Sequence, residues 1–175
     1  MANHVYTNIN IKFETAKDST KFLEWIAYLP ENDMPYLQKM ETCNNCMLDS
    51  LYEDKQDSYD YFIENIGAKW ISIDDIDHND NEVDINWTSA WSFADKLFIK
   101  LSNHVIEQFP EALLHVTYED EGFGFVGAAY MSKLGYDLDE YDPEIDHDSD
   151  EFFDQITDKK QELLKYCMQT VNELA

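Results

Sequence analysis

Carboxylates crowd the stretch from 137 to 151: Asp137, Asp139, Glu140, Asp142, Glu144, Asp146, Asp148, Asp150 and Glu151, with no lysine among them. Two smaller acidic groups precede it, Asp74 to Asp84 and Glu119 to Glu121. Alternate residues of an extended chain lie ~7 Å apart on one side. Asp142, Glu144, Asp146, Asp148 and Asp150 would then form an evenly spaced anionic row. The phosphates of a nucleic acid form another such row, and proteins that bind it owe much of their affinity to lysine and arginine. An acidic protein can occupy that groove, drawn there by long-range attraction. The plainer alternative is a solvated linker, because blocks of like charge usually repel one another into disorder.

Carboxylates also bind calcium. Asp75-x-Asp77-x-Asn79 and Asp137-x-Asp139 begin like a calcium loop, but Asp80 and Asp142 stand where the turn glycine belongs, and neither run has glutamate at its twelfth position. Cys43-Asn44-Asn45-Cys46 has the spacing of half a zinc site or a redox pair. No second CxxC or HxxxH follows, so Cys167 with one of His4, His78, His104, His115 or His147 would have to complete it by folding. Two unpaired thiols at a helix start are the simpler reading.

Phe123-Gly124-Phe125-Val126-Gly127 lies between two strand patterns, so its glycines suit a tight turn and close strand packing. A phosphate cradle would need the amides of a helix end. Trp70, Trp87 and Trp91 could line a small pocket beside Glu119, although aromatic residues at such spacings more often fill a core. No serine-histidine-acid order, HExxH or Walker loop is present, and carboxylate pairs are too numerous to single out an acid and a base. Catalysis therefore has no support in the sequence, and no cofactor or metal is implied.

Positioning these groups requires a fold. The 175 residues suffice for one domain with a full core, and 44% hydrophobic with 14% aromatic content is globular despite a net charge of -25. The charge must sit on a folded surface. All twelve basic residues are lysines; since arginine is preferred for phosphate and base-edge recognition, direct nucleic-acid binding is not expected. No run approaches the ~20 apolar residues of a membrane span, and Met1-Ala2-Asn3-His4 lacks the features of a secretory signal. A cytoplasmic location is expected, with the three cysteines reduced.

Periodicity supplies the elements. Val5 to Phe13 alternate as a strand; Asp18 or Ser19 would cap a helix with the stripe Phe22, Trp25, Ile26 and Leu29. Residues 30–44 read as a loop, and Leu48 to Ile66 carry helical spacing in one helix or two, up to Gly67. Trp70 to Asp74 and Glu82 to Trp87 form a hairpin across His78-Asn79-Asp80-Asn81. Ser92 with Asp95 resembles a capping box for a helix burying Ala94, Leu97, Phe98, Leu101, Val105 and Phe109. Leu114, Val116 and Tyr118 alternate into a strand, Glu121-Gly122 turns, and Phe123 to Met131 line another. Asp150 leads into a last helix with Phe153, Ile156, Leu163, Leu164, Cys167, Val171 and Leu174 on its apolar side.

Several short strings in this order carry a likeness: Ala2-Asn3 before the first strand, Ile66-Gly67-Ala68-Lys69-Trp70, Thr88-Ser89-Ala90-Trp91-Ser92, and Tyr118-Glu119-Asp120-Glu121-Gly122-Phe123-Gly124-Phe125-Val126-Gly127. Residues 1–132 thereby resemble the YubB-type ferredoxin-like domain family of phage and plasmid proteins. The resemblance implies a ferredoxin-like βαββαβ core and a mobile-element origin, and no activity. Phe93 departs from the proline often found after the tryptophan-serine pair, and the acidic segment and final helix lie outside the shared pattern.

The expected architecture is α+β. A ferredoxin-like core spans 1–132, with a helical insert near 45–66 and helices on one face of an antiparallel sheet. An acidic segment follows at 133–150 and a terminal helix at 151–175. The expected function is that of a phage or plasmid accessory protein that binds and inhibits a basic host protein, such as a defence nuclease or a nucleic-acid-binding regulator, through its acidic segment. The alternative is a small-ligand-binding or catalytic domain using the tryptophans and Glu119. The apolar stripe of the last helix could also pair two copies.

Overall fold

The structure is a computed structural model, and it describes residues 3–26, 47–52, 58–143 and 152–173. Alternation of apolar and polar side chains makes β1 (His4–Lys12), in which Val5, Thr7, Ile9 and Ile11 are buried while Tyr6, Asn8 and Lys12 are exposed. The other elements, in chain order, are α1 (Ala16–Trp25), α2 (47–51), α3 (Tyr59–Asn65), β2 (Ile71–Asn79), β3 (Glu82–Ala90), α4 (Asp95–Gln108), β4 (Leu113–Asp120), β5 (Val126–Ser132), β6 (Gly135–Tyr141) and α5 (Phe152–Asn172). All the strands join one six-stranded antiparallel sheet in the order β2-β3-β1-β4-β5-β6.

The helix starts differ from the expected caps. Thr15 caps α1, its Oγ1 accepting the Asp18 amide at 3.3 Å. No side chain caps α4, whose N-cap is Ala94. Ser92 sits two residues too early to reach the first-turn amides, and its hydroxyl donates instead to the Gly67 carbonyl at 2.9 Å.

One sheet face holds the main core. Val5, Ile9 and Ile11 of β1, Val83, Ile85 and Trp87 of β3, and Leu114 and Val116 of β4 meet Phe22 of α1, Leu48 and Leu51 of α2, and Leu97, Phe98, Leu101 and Val105 of α4. Each large apolar side chain fully removed from water contributes ~1.5–3 kcal/mol.

Helices on one face do not account for the whole sheet. All of β5 is buried, so it presents apolar side chains to both sides and needs a cover on each. Ala129 and Met131 join the main core, whereas Val126, Ala128 and Tyr130 face the opposite way and are covered by Phe152, Ile156, Leu163, Cys167 and Val171 of α5. The apolar stripe of α5 is thus largely buried within the chain, with Phe152 in the place expected of Phe153, which is 69% exposed. The sheet also runs past residue 132, because β6 pairs with β5 and takes up the beginning of the stretch read as an acidic segment. Among the described residues no helix is long and apolar enough to cross a membrane.

Candidate functional site

Strand alternation decides where the acids point. On the face opposite the main core, α5 covers β5 and its neighbours, while β2, β3 and β1 present polar side chains. A bulge between Ile73 and Asp75 places Asp75 opposite Asn86, while Asp74 accepts the Thr88 hydroxyl at 2.6 Å. Both carboxylates therefore lie on this open face. Asp77 and Asp84 are register partners there. Asn10 donates to Asp84 at 3.0 Å and to Glu82 at 3.4 Å, and Lys12 meets Glu82 at 3.3 Å.

Where the open face meets α5, Lys160 Nζ lies 2.6 Å from Glu119. A cleft of about 250 Å³ runs beside this pair, bordered by Tyr6, Asn8, Asp74, Asn86 and Thr117. Its rim is rich in hydrogen-bond acceptors and carboxylates, which suits amine or guanidine donors.

The acids from Asp137 onward divide between surfaces. Asp137 and Asp139 sit opposite Tyr130 and Ala128, on the α5 side of β6; Glu140 sits opposite Gly127, on the core side. The strand period of two breaks the run, because Asp139 and Glu140 are consecutive. Asp142 follows the strand and is exposed. Glu144, Asp146, Asp148, Asp150 and Glu151 lie outside the described residues.

The tryptophans are not brought together around Glu119. Trp87 borders the Glu119 cleft yet is only 1% exposed, because its odd position in β3 turns it into the core. Trp70 packs edge-on to His4 with ring centroids 5.4 Å apart. Trp91 lies just past the end of β3 and is 50% exposed.

A second, unforeseen constellation forms at the end of the sheet where β1 and β2 begin. The strings 66–70, 88–92 and 118–127, distant in sequence, are stitched together there. The Trp91 amide donates to the Asn3 carbonyl at 2.9 Å, Ala90 to Trp70 at 3.1 Å, and Leu97 to Ile66 at 3.1 Å. Phe93 stacks on Tyr118 with centroids 4.4 Å apart and planes 3° from parallel. The Tyr118 hydroxyl donates to Glu140 at 3.2 Å. Burial first, and then the Glu140 carboxylate, hold the Tyr118 phenol well above its ordinary pKa. Asp120 closes the neighbouring turn by accepting the Gly124 amide at 3.1 Å.

Trp91 adopts φ 71°, a left-handed conformation that bulky residues rarely take. Lys69 Nζ lies 4.4 Å from the centroid of its ring. Phe93, Asp95, Phe125 and Glu140 join Trp91 and Tyr118 around a cleft of about 310 Å³. Of these, only Trp91 and Glu140 stand among the expected site residues, and they stand in different groups. Tyr118 and Phe125 lie within the string 118–127, whereas no sequence signal pointed to Phe93 or Asp95.

Among the described residues no group of three or more His, Cys, Asp or Glu is arranged to hold a metal ion. Asp75 to Asn79 lie within β2 and Asp137 to Asp139 within β6, and extended backbone cannot curl its ligands around calcium. Cys43 and Cys46 lie outside the described residues. Cys167 is buried on the sheet-facing side of α5, where burial and then Asp137 and Asp139 push its thiol up to about 12.

No family model, curated protein or solved structure matches the chain. The likeness to YubB-type domains rests on the quoted residues alone.

Proposed function

We propose that the chain is an accessory protein of a phage or plasmid that binds and inhibits a basic, nucleic-acid-binding host protein, presenting carboxylates where that protein expects phosphates. The observation that carries this reading is the placement of carboxylates on strands. Asp74, Asp75, Asp77, Glu82 and Asp84 share one open sheet face, and Asp77 stands directly across from Asp84. Like charges opposite one another lower the stability of a strand pair, so their presence favours a use for the charge. Anions fixed on strands also cost less entropy on binding than anions on a free loop.

The same proposal gives the first four strands a ferredoxin-like core. The order β2-β3-β1-β4, all antiparallel, supports it, with β5, β6 and α5 as an extension. The meeting of the strings 66–70, 88–92 and 118–127 at one end of the sheet supports the YubB-type likeness.

The test is affinity capture from host lysate at low salt, with identification of the bound protein. Double-stranded DNA should compete for capture, and raised salt should weaken it steeply. One variant carries D75N, D77N, E82Q and D84N; a second carries D142N, E144Q, D146N and D148N. Loss of capture in either one, with the fold intact by circular dichroism, supports the reading. Capture unchanged in both, or indifferent to DNA and salt, would end it.

A further inference from the structure

The cleft at the end of the sheet brings aromatic rings and carboxylates together. Half-exposed Trp91 supplies an aromatic face, the stacked and buried Phe93 and Tyr118 with Phe125 wall the cleft on its inner side, and Asp95 and Glu140 supply carboxylates on its border. Aromatic faces attract cations through the ring quadrupole, most strongly for tryptophan. Carboxylates add charge and bidentate acceptors. The chain already uses one ring this way, since the Lys69 ammonium sits 4.4 Å from the Trp91 centroid.

We infer that this cleft is the seat for an arginine side chain of the basic partner. The inference rests on the proposed function for the identity of the partner and deepens it by naming an anchor. A guanidinium fits better than an ammonium for two reasons: its plane can stack on Trp91, and its fork can address Asp95 or Glu140 with paired hydrogen bonds. It is also more weakly hydrated and easier to bring against aromatic rings. None of these 175 residues can supply the guanidinium, because none is an arginine. Glu140 is followed within β6 by Tyr141 and then by exposed Asp142, which lies just past the seat along the chain. A partner arginine anchored here would bring its basic surface next to Asp142.

The probe is N-acetyl-arginine methylamide, with N-acetyl-citrulline methylamide as its uncharged isostere. The folded chain, ¹⁵N-labelled, is titrated with each by NMR, and the Trp91 indole signal is identified by its loss in W91L. Leucine keeps apolar bulk and the same backbone demand while removing the π face. Saturable shifts of the Trp91 indole with the arginine compound, absent with citrulline, are expected. Affinity should fall about fivefold or more in W91L and in E140Q. Equal shifts with citrulline, shifts located elsewhere, or undiminished affinity in both variants would overturn the inference. The outcome separates from that of the parent reading. Partner capture by W91L at wild-type strength leaves the inhibitor reading standing without this seat. Arginine binding without any DNA-competed partner leaves the seat standing without the inhibitor.

Discussion

Tyr118 and Gly127 face each other across β4 and β5 as register partners, and the Tyr118 ring occupies the space that a side chain at 127 would need. The glycine is therefore what lets Tyr118 lie flat enough to stack on Phe93 and reach Glu140. Gly127→Ala should displace the ring and cost ~1–3 kcal/mol, as overpacking does. Urea denaturation measures the loss, and an unchanged midpoint would show that the ring moves freely. Tyr118→Phe, which keeps the ring and removes only the hydroxyl, should cost ~1 kcal/mol or less.

Lys160 and Glu119 join α5 to β4 through a contact of 2.6 Å at a partly buried site. Charge-assisted hydrogen bonds of this kind exceed ordinary surface pairs. A double-mutant cycle with K160M and E119Q should return a coupling of about 1 kcal/mol. A coupling near zero would mean that this pair adds nothing to the apolar packing that holds α5.

Cys167 should resist modification until α5 leaves the sheet. Its thiol is fully buried, lies 3.6 Å from the Ala128 carbonyl, and is pushed up to about 12 chiefly by burial. In a C43S/C46S background, labelling with a thiol reagent at mildly alkaline pH should be far slower in the native protein than in urea. Prompt native labelling would show that α5 opens readily.

Acidification should weaken the fold through two histidines. His104 stacks on Trp25 with centroids 3.6 Å apart, and His115 stacks on Tyr130 at 5.4 Å with its Nε2 buried and unpartnered. Desolvation lowers both pKa values below the ordinary 6.5, with Lys12 adding to the effect at His115. The folded state thus favours the neutral rings. As pH falls below about 6.5 the unfolded chain takes up protons first, and stability declines through the window down to the depressed folded values. Denaturation midpoints at pH ~7.5 and ~5.5 should fall further for the wild type than for H104Q/H115Q. Equal declines would remove the histidines as the cause.

The formal charge of -25 should make the fold sensitive to salt. Raising NaCl from about 10 mM to about 0.5 M shortens the screening length several-fold and should relieve self-repulsion among the carboxylates. The melting temperature should rise accordingly. A flat or falling curve would mean that local ion pairs such as Lys133 with Glu111, at 2.6 Å, outweigh the repulsion.

Much of the local structure was legible in the order of residues. The alternation from Val5 to Ile11 made β1, the turn around Asp80 and Asn81 joined β2 to β3, and the spacing of Leu97, Phe98, Leu101 and Val105 made α4. The charge excess was equally plain, because composition is independent of fold. These features depend on a residue and its near neighbours, and period two or 3.6 records them directly.

Tertiary structure decided the rest. Alternation tells which side chains share a face of a strand, but not which face another element will cover; only packing put α5 over Val126, Ala128 and Tyr130. Pairing turned Gly135–Tyr141 from an apparent acidic tail into an edge strand and thereby sent Asp139 and Glu140 to opposite sides. Trp91 and Glu140 came to share a cleft because β3 ends where β6 ends, and long-range hydrogen-bonded register carries no trace in local sequence.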